Sequence, residues 1–268
     1  MKKPAKSIPS LPESPPLKFV ETGEGSNRAK IAFRRREGAS PGLVWLGGFK
    51  SDMLSTKAAR LDQWAAGKGR AFLRFDYSGH GESDGRFEDG TIGAWFTQSL
   101  AMIRAQTSGP QILVGSSMGG WIALLVARAL AEAGEAERLA GMVLIAPAVD
   151  FTEALMWPRM PAQARREIEE TGVWLRPSDY SPQPYPVTRA LFEDGRKHLL
   201  LGGIIRSHCP VHILQGMQDP DVPWQHAMEL VQRLAGDPVT IAMVKDGDHR
   251  LSREEDIVRL LAAVEGVG

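Results

Sequence analysis

Alternation of short apolar runs with longer segments of helical pattern is the feature that most constrains how this 268-residue chain folds. Buried strands are predicted at 43–46, 71–75, 111–114, 142–145, 211–214 and 239–244. Helices are predicted between them, near 55–67, 91–107, 118–133, 224–235 and 252–265. Strands that alternate with helices in this way form a parallel sheet covered by crossover helices. The sequence therefore predicts an α/β fold with a mostly parallel central sheet and helices on both faces.

Two parts of the chain depart from this alternation. Segments 18–22 and 30–35 are close together and are predicted to form an antiparallel hairpin. In residues 150–208 the apolar pattern is irregular, and proline, arginine and aromatic residues are frequent. A solvated linker is rarely so aromatic, so we predict that 150–208 is a cap inserted over the sheet, and we call it the cap segment. Its aromatic residues include Trp157, Trp174, Tyr180, Tyr185 and Phe192.

The chain is predicted to form one domain. A single α/β domain of this length is common, so we assign 17–268 to it, with the cap segment as an insertion. Residues 1–16 contain five prolines and are predicted to be an extended arm.

Charge and cysteine content exclude several classes of protein. Lys and Arg together number 32, as do Asp and Glu, so the formal net charge is zero. A nucleic-acid-binding protein usually carries a basic excess, so no nucleic-acid partner is expected. The single cysteine, Cys209, allows no intrachain disulfide and fits a reducing compartment. With no signal-peptide pattern and no apolar run of membrane-spanning length, we expect a cytoplasmic location, or the mitochondrial matrix in a eukaryote.

The strongest local signal is the pentapeptide GSSMG at 115–119. It follows a predicted strand and precedes a predicted helix, which is the context that a Gly-x-Ser-x-Gly nucleophile requires. A tight turn there forces strained backbone angles on the serine and exposes its oxygen, while the flanking glycines allow strand and helix to approach. The spacing selects Ser117, between Gly115 and Gly119, rather than Ser116.

A serine hydroxyl is a weak nucleophile that needs a base and a group to orient the base. His249 follows the predicted strand at 239–244, and Asp219 follows the one at 211–214. Both therefore lie at carboxyl ends of strands, where open α/β sheets place their sites. His249 is predicted to take the proton of Ser117, and Asp219 to orient the imidazole. Asp221 is an alternative acid, whereas Asp248 is too close in sequence to His249 for such a bond.

The other histidines are weaker candidates for a catalytic base or a metal ligand: His80, His198, His208, His212 and His226. His212 falls inside a predicted strand. His208 adjoins Cys209, but no second pair has zinc-ligand spacing. We predict that the protein uses no metal and no cofactor.

A tetrahedral intermediate needs backbone donors for its oxyanion. Met118, the residue after the nucleophile, is predicted to supply one N–H. Phe49, in the loop that follows the strand at 43–46, is predicted to supply the other, since Gly47 and Gly48 allow a sharp turn there. The alternative is that these two glycines form only a turn.

From about 19 to 264 the order of these segments resembles the α/β-hydrolase superfamily. Segment 46–49 (LGGF) is similar to its oxyanion loop, with Gly47 in place of the usual histidine. Segment 76–83 (DYSGHGES) is similar to its structural Asp-x-x-Gly-x-Gly-x-Ser loop, which implies that His80 supports the site and is not the base. Segment 216–223 (GMQDPDVP) is similar to its acid loop, which favours Asp219 over Asp221.

A narrower resemblance rests on 246–252 (DGDHRLS). It is similar to the histidine segment of the mitochondrial acyl-protein thioesterase and acyl-glucuronide esterase group and its bacterial relatives. That resemblance implies hydrolysis of fatty-acyl or acyl-glucuronide esters or of thioesters. The triad itself is equally compatible with peptide, lactone or carbon–carbon bonds, and a non-catalytic ligand receptor is the alternative from a different class.

Four large apolar side chains of the cap segment bear on the substrate: Met156, Trp157, Met160 and Trp174. They fit either the wall of an acyl-chain pocket or the core of the cap itself. The sequence does not distinguish the two roles, and it does not specify the oligomeric state.

Overall fold

An eight-stranded sheet in the order β1-β2-β4-β3-β5-β6-β9-β10 organises the fold. The computed structural model describes residues 13–23, 28–177 and 183–267. The strands of this sheet are β1 (Lys18–Thr22), β2 (Ala29–Arg36), β3 (Ala39–Leu46), β4 (Arg70–Phe75), β5 (Gln111–Ser116), β6 (Leu139–Ile145), β9 (Val211–Gly216) and β10 (Val239–Val244). Strands β1 and β2 form the predicted antiparallel hairpin. From β4 to β10 every neighbouring pair is parallel.

The chain reverses its direction across the sheet at β3. Strand β3 lies between β4 and β5. The chain adds β4 on one side of β3 and then crosses over to add β5 on the other side. Ligands of open α/β sheets bind beyond the carboxyl ends of strands at such a switch point. The loops that follow β3 and β5 therefore meet at the position where a site is expected.

Helices cover both faces of the sheet, as predicted. They are α1 (Thr56–Lys68), α2 (Ile92–Gln106), α3 (Met118–Glu132), α7 (Trp224–Arg233) and α8 (Glu254–Val267). Alternate side chains of a strand point to opposite faces. Trp45 of β3 accordingly packs in the cluster that holds Leu61 of α1 and Leu260 of α8. Leu46, the next residue, packs in the cluster that holds side chains of α2, α3 and α7.

The cap segment lies between β6 and β9, and none of its described residues joins the central sheet. It contains a π-helix at Thr152–Met156, the helices α4 (Trp157–Arg159), α5 (Ala162–Thr171) and α6 (Arg189–Gly195), and the two-stranded sheet of β7 (Val173–Arg176) with β8 (Tyr185–Thr188). Asp150 begins the segment with φ of 54°. Its buried carboxylate accepts hydrogen bonds from the amides of Leu200 and Leu201, at 2.8–3.0 Å. These bonds join the start of the segment to its return. Tyr180 lies outside the described residues.

Residues 13–15 of the predicted arm lie against β2 and β4. The carbonyl of Pro15 accepts a hydrogen bond from Arg34, and Ser14 Oγ accepts one from Arg74 at 2.6 Å. Residues 1–12, to which the rest of that prediction applies, lie outside the described part of the chain. None of the helices that the structure describes combines the length and apolar character needed to cross a bilayer.

Candidate active site

Ser117 is the single residue that connects β5, which ends at Ser116, to α3, which begins at Met118. Its φ and ψ are 53° and −117°, a combination that residues other than glycine rarely adopt. The surrounding hydrogen bonds impose it. The Ser117 amide donates to the carbonyl of Ile145 at 2.8 Å, and its carbonyl accepts from the amides of Gly120 and Ala148. Strain held in this way is typical of functional positions.

The two glycines that flank Ser117 are required by close backbone contacts. A Cβ at Gly115 would lie 2.4 Å from the carbonyl oxygen of Gly119, and a Cβ at Gly119 would lie 2.0 Å from that of Leu46. Both distances are much shorter than a van der Waals contact between carbon and oxygen, so no side chain fits at either position. The start of α3 therefore approaches the ends of β5 and β3 as the Gly-x-Ser-x-Gly pattern predicts.

His249 and Asp219 form a hydrogen-bonded pair at the carboxyl ends of β10 and β9. The distance from His249 Nδ1 to Asp219 Oδ2 is 2.8 Å. Because a carboxylate accepts hydrogen bonds, Nδ1 carries a proton, and the tautomer that this bond selects has Nε2 as its acceptor. The Asp219 side chain is fully buried, whereas 17% of the His249 side chain is exposed. The acid is thus shielded while the imidazole reaches the cavity.

The two rival carboxylates have other partners. Asp219 Oδ1 accepts from the backbone amides of Asp221 and Val222, so the acid loop wraps around the Asp219 side chain. The Asp221 side chain lies 4.0 Å from the guanidinium of Arg176. Asp248 Oδ1 accepts from the amide of Leu251 at 2.9 Å. The structure therefore brings His249 to Asp219, as the resemblance implies.

The predicted oxyanion donors belong to two segments that adjoin Ser117. Met118 is the first residue of α3, so its N–H has no acceptor within that helix. Gly48 adjoins Phe49 and approaches the nucleophile so closely that a Cβ on it would lie 3.4 Å from Ser117 Cβ. The loop that carries Phe49 therefore faces Ser117.

His80 holds this loop in place. The amide of Lys50 donates to His80 Nε2 at 3.1 Å, and His80 Nδ1 lies 3.2 Å from the carbonyl of Ser78. Burial lowers the pKa of His80 to about 4, so the ring stays neutral and Nε2 remains an acceptor. Asp76 of the same segment accepts from the amides of Met53 and Glu82. Segment 76–83 thus orders the loop between β3 and α1.

Ser117 and His249 line one cavity of about 620 Å³. The cap segment contributes mainly apolar side chains to its wall, among them Leu155, Met156, Met160 and Trp174. Residues 50–57 and 250–252 contribute polar side chains. An apolar compartment beside a few polar groups is typical of a small-molecule site.

The four apolar cap residues considered from sequence divide between the two roles. Met156, Met160 and Trp174 line the cavity. Trp157 is absent from its wall and instead packs edge-on against Phe192, with ring centroids 5.1 Å apart. Trp157 therefore belongs to the core of the cap segment.

Within the described residues, one cluster has metal-ligand geometry: Asp219, Asp221 and His249 offer ligand atoms within 4.8 Å of one another. Both oxygens of Asp219 already accept hydrogen bonds, from His249 and from two backbone amides. These bonds account for the cluster without an ion. The absence of a metal or cofactor remains a prediction.

Sequence reasoning missed three basic residues of the cavity wall: Lys57, Arg159 and Arg176. Arg159 donates to the carbonyls of Pro220 and Asp221, which joins the cap segment to the acid loop. The only sequence signal for Lys57 is its position on the apolar face of α1, next to the buried Ala58 and one turn before the buried Leu61. A lysine on such a face calls for a polar partner.

Comparison with known proteins now identifies the family. The sequence profile described as "Alpha/beta hydrolase family" matches residues 38–263. Human "Palmitoyl-protein thioesterase ABHD10, mitochondrial" is 34% identical over 259 residues, which span 96% of this chain and 82% of the human protein.

Two solved structures are similar over nearly their whole length. A protein described as a hydrolase from Agrobacterium vitis S4 matches with a TM-score of 0.90 and 47% identity, over 94% of this chain and 99% of its own. Mouse alpha/beta hydrolase domain-containing protein 10 matches with a TM-score of 0.82 and 33% identity, over 94% and 97% respectively. The sheet order, the serine turn and these matches agree, and the chain belongs to the α/β hydrolase family.

Proposed function

We propose that this protein is a serine hydrolase that cleaves carboxylic esters or thioesters through an acyl-enzyme on Ser117. The observation that carries the proposal is the strained Ser117 turn, which shares a cavity with a histidine already paired to a buried acid. The names of the relatives, which include a palmitoyl-protein thioesterase, support the same reaction class.

In the acylation step, Ser117 Oγ attacks the acyl carbon while His249 Nε2 takes its proton. The bond to Asp219 fixes the imidazole tautomer and stabilises the imidazolium that forms. His249 then protonates the departing alkoxide or thiolate. Water completes the cycle by attacking the acyl-enzyme, again with His249 as base, which releases the carboxylic acid and restores the Ser117 hydroxyl.

The amides of Met118 and Phe49 donate to the oxyanion of both tetrahedral intermediates. A preorganised donor of this kind is worth about 3 kcal/mol of transition-state stabilisation. His80 contributes indirectly, because its bond to the Lys50 amide holds the loop that carries Phe49.

The cavity supports an apolar acyl group. Met156, Met160 and Trp174 contribute soft, apolar surface to its wall, and such side chains adapt to a flexible chain. A non-catalytic receptor would not need the backbone strain stored at Ser117. We propose further that 17–268 forms one domain with the cap segment as its insertion. The mitochondrial relatives favour the matrix as its location if the source is eukaryotic.

A fluorophosphonate probe tests the nucleophile, since it labels activated serines covalently. We expect the wild-type protein to be labelled and Ser117→Ala to remain unlabelled. Ser116→Ala is the matched control, because it removes the neighbouring hydroxyl and should leave labelling intact. Labelling that persists in Ser117→Ala would refute the assignment.

Substrate class is tested with 4-nitrophenyl esters and acyl-CoA thioesters of graded chain length. We expect kcat/KM to rise from acetyl to medium-length chains as the apolar wall is filled. Turnover of peptides or lactones with no turnover of either series would replace the proposal with another bond type.

A further inference from the structure

Lys57, in the first turn of α1, is a buried cation at the back of the candidate site. Only 9% of the residue is exposed, yet it contributes to the cavity wall. Its Nζ donates to the backbone carbonyl of Arg250 and, at 3.2 Å, to the hydroxyl of Ser252. Both acceptors lie in the loop between β10 and α8, one and three residues after His249.

Burying this amine carries a cost that an apolar residue would avoid. Desolvation lowers the pKa of Lys57 to about 8, against the favourable fields of Asp248 and Asp256. No carboxylate of the described chain lies within ion-pair distance of its Nζ. The neighbours of Lys57 on the same helix face, Ala58 and Leu61, are ordinary core residues. Packing alone therefore does not explain a lysine here.

The loop that receives Lys57 is conformationally strained. Leu251 has φ of 43° and is buried, and a bulky residue in that region is an outlier. Asp248 bonds to the Leu251 amide, which restrains the loop on one side. Lys57 bonds to Arg250 and Ser252, which restrains it on the other. In sequence, His249 lies between Asp248 and Arg250, which both take part in these bonds.

We propose that Lys57 is a positioning residue, which holds the 248–252 loop so that the His249 imidazole keeps its bond to Asp219 and its reach into the cavity. The inference rests on the proposed function, in which His249 is the base. Lys57 is far from His249 in sequence, yet in this inference it determines the position of the His249 imidazole.

Kinetics of Lys57→Met test the proposal. Methionine keeps the length and apolar stem of the side chain and removes the donor. We expect kcat to fall roughly 10- to 100-fold, as for other small displacements of a catalytic group, with KM within threefold of wild type. The melting temperature should stay level or rise, because a desolvated amine has been removed. Lys57→Arg, which retains donors, should recover part of kcat.

Lys68→Met is the matched control. Lys68 lies on the same helix, is half exposed and pairs with Glu265 at the surface. It should have wild-type kcat and melting temperature. Ser252→Ala removes one acceptor without altering α1, and a several-fold fall in kcat is expected for it even if Lys57→Met fails to fold.

An NMR signal separates this inference from the proposed function. The Nδ1–H proton of His249, assigned by its absence in His249→Gln, should shift or broaden in Lys57→Met and stay unchanged in Lys68→Met. A kcat of Lys57→Met within twofold of wild type overturns the inference. So does a lower kcat with an unchanged His249 signal, because the loss then has another cause. If the wild type turns over no ester or thioester, the proposed function fails and the NMR signal alone decides the role of Lys57.

Discussion

The two walls of the cavity are built in different ways. The sheet wall consists of loops after β3, β5, β9 and β10, and its functional groups are held by specific hydrogen bonds, such as those of Ser117 and His249. His80, in the loop after β4, supports this wall through its bond to the Lys50 amide. The cap wall, from residues 150–208, contributes mainly apolar side chains such as Met160 and Trp174. Chemistry needs atoms held in one orientation, whereas binding an acyl chain needs only apolar surface of suitable shape.

The contrast predicts that small polar changes in the sheet wall abolish turnover. Larger apolar changes in the cap wall should instead alter which acyl-chain length the protein prefers. Removal of the acid is the most severe such test. Asp219→Asn should lower kcat by on the order of 10⁴, because the amide favours the wrong imidazole tautomer. Steady-state kinetics on a 4-nitrophenyl ester would measure it.

Asp221→Asn is the matched control for the acid. Its side chain faces Arg176 and its backbone amide, which is unchanged, supplies the bond to Asp219. It should retain kcat within about tenfold. A greater loss in Asp221→Asn than in Asp219→Asn would contradict the assignment of the acid.

The next prediction concerns pH and His80, which supports the sheet wall. The pKa of His80 is lowered to about 4 in the folded protein, against 6.5 for the ordinary group. Between those values the unfolded chain binds a proton that the folded chain does not, so stability falls as pH falls. We expect His80 to account for about 2 kcal/mol of lost unfolding free energy between pH 7 and pH 5.

Urea denaturation of wild type and His80→Gln at both pH values would measure this loss. Glutamine keeps an acceptor for the Lys50 amide but does not titrate. The variant should lose less stability on acidification than wild type, and an equal loss in both would show that His80 is not the responsible group. The buried His226, whose pKa is also lowered by desolvation, remains in both proteins.

The smallest expected effect lies in the cap wall. Trp174→Ala removes a ring from the cavity wall and should lower kcat/KM for an octanoyl ester about tenfold, the equivalent of about 1.4 kcal/mol of apolar contact. The acetyl ester should change less than twofold, since a two-carbon acyl group has little apolar surface to bury. The ratio of the two rate constants is the measurement.

Trp157→Ala is the control for Trp174→Ala, because it removes the same type of residue from the same cap segment. Trp157 packs on Phe192 and not on the cavity. It should lower the melting temperature and leave the octanoyl-to-acetyl ratio unchanged. If Trp157→Ala alters that ratio as much as Trp174→Ala does, the cap wall is not a local set of contacts and the contrast between the walls fails.

Much of the sheet wall was predictable because its signals are local. The continuous apolar run at the end of β3 and the Gly-x-Ser-x-Gly turn each depend on a few neighbouring residues. The acid and the histidine are likewise marked by short loop motifs that follow predicted strands. Local sterics at Gly115 and Gly119 leave the chain few alternatives there. The bounds of the five helices that cover the sheet also agreed closely with prediction, to within two residues at each end.

The cap wall was less predictable because its contacts are long-range. Nothing near Trp157 and Trp174 in sequence indicates that one packs on Phe192 while the other lines the cavity. The division depends on how the π-helix, α5 and the two-stranded sheet of β7 and β8 fold against one another.

The sequence by itself determined the α/β fold and the candidate residues Ser117, Asp219 and His249, because strand, turn and loop patterns depend on consecutive residues. The tertiary structure supplied the geometry of the bond between His249 and Asp219, and it alone brought Lys57 of α1 to the histidine loop. Those bonds join residues far apart in the chain, and the free energy that holds them comes from packing the whole domain. A buried polar group finds its partner only once the sheet and helices have enclosed it.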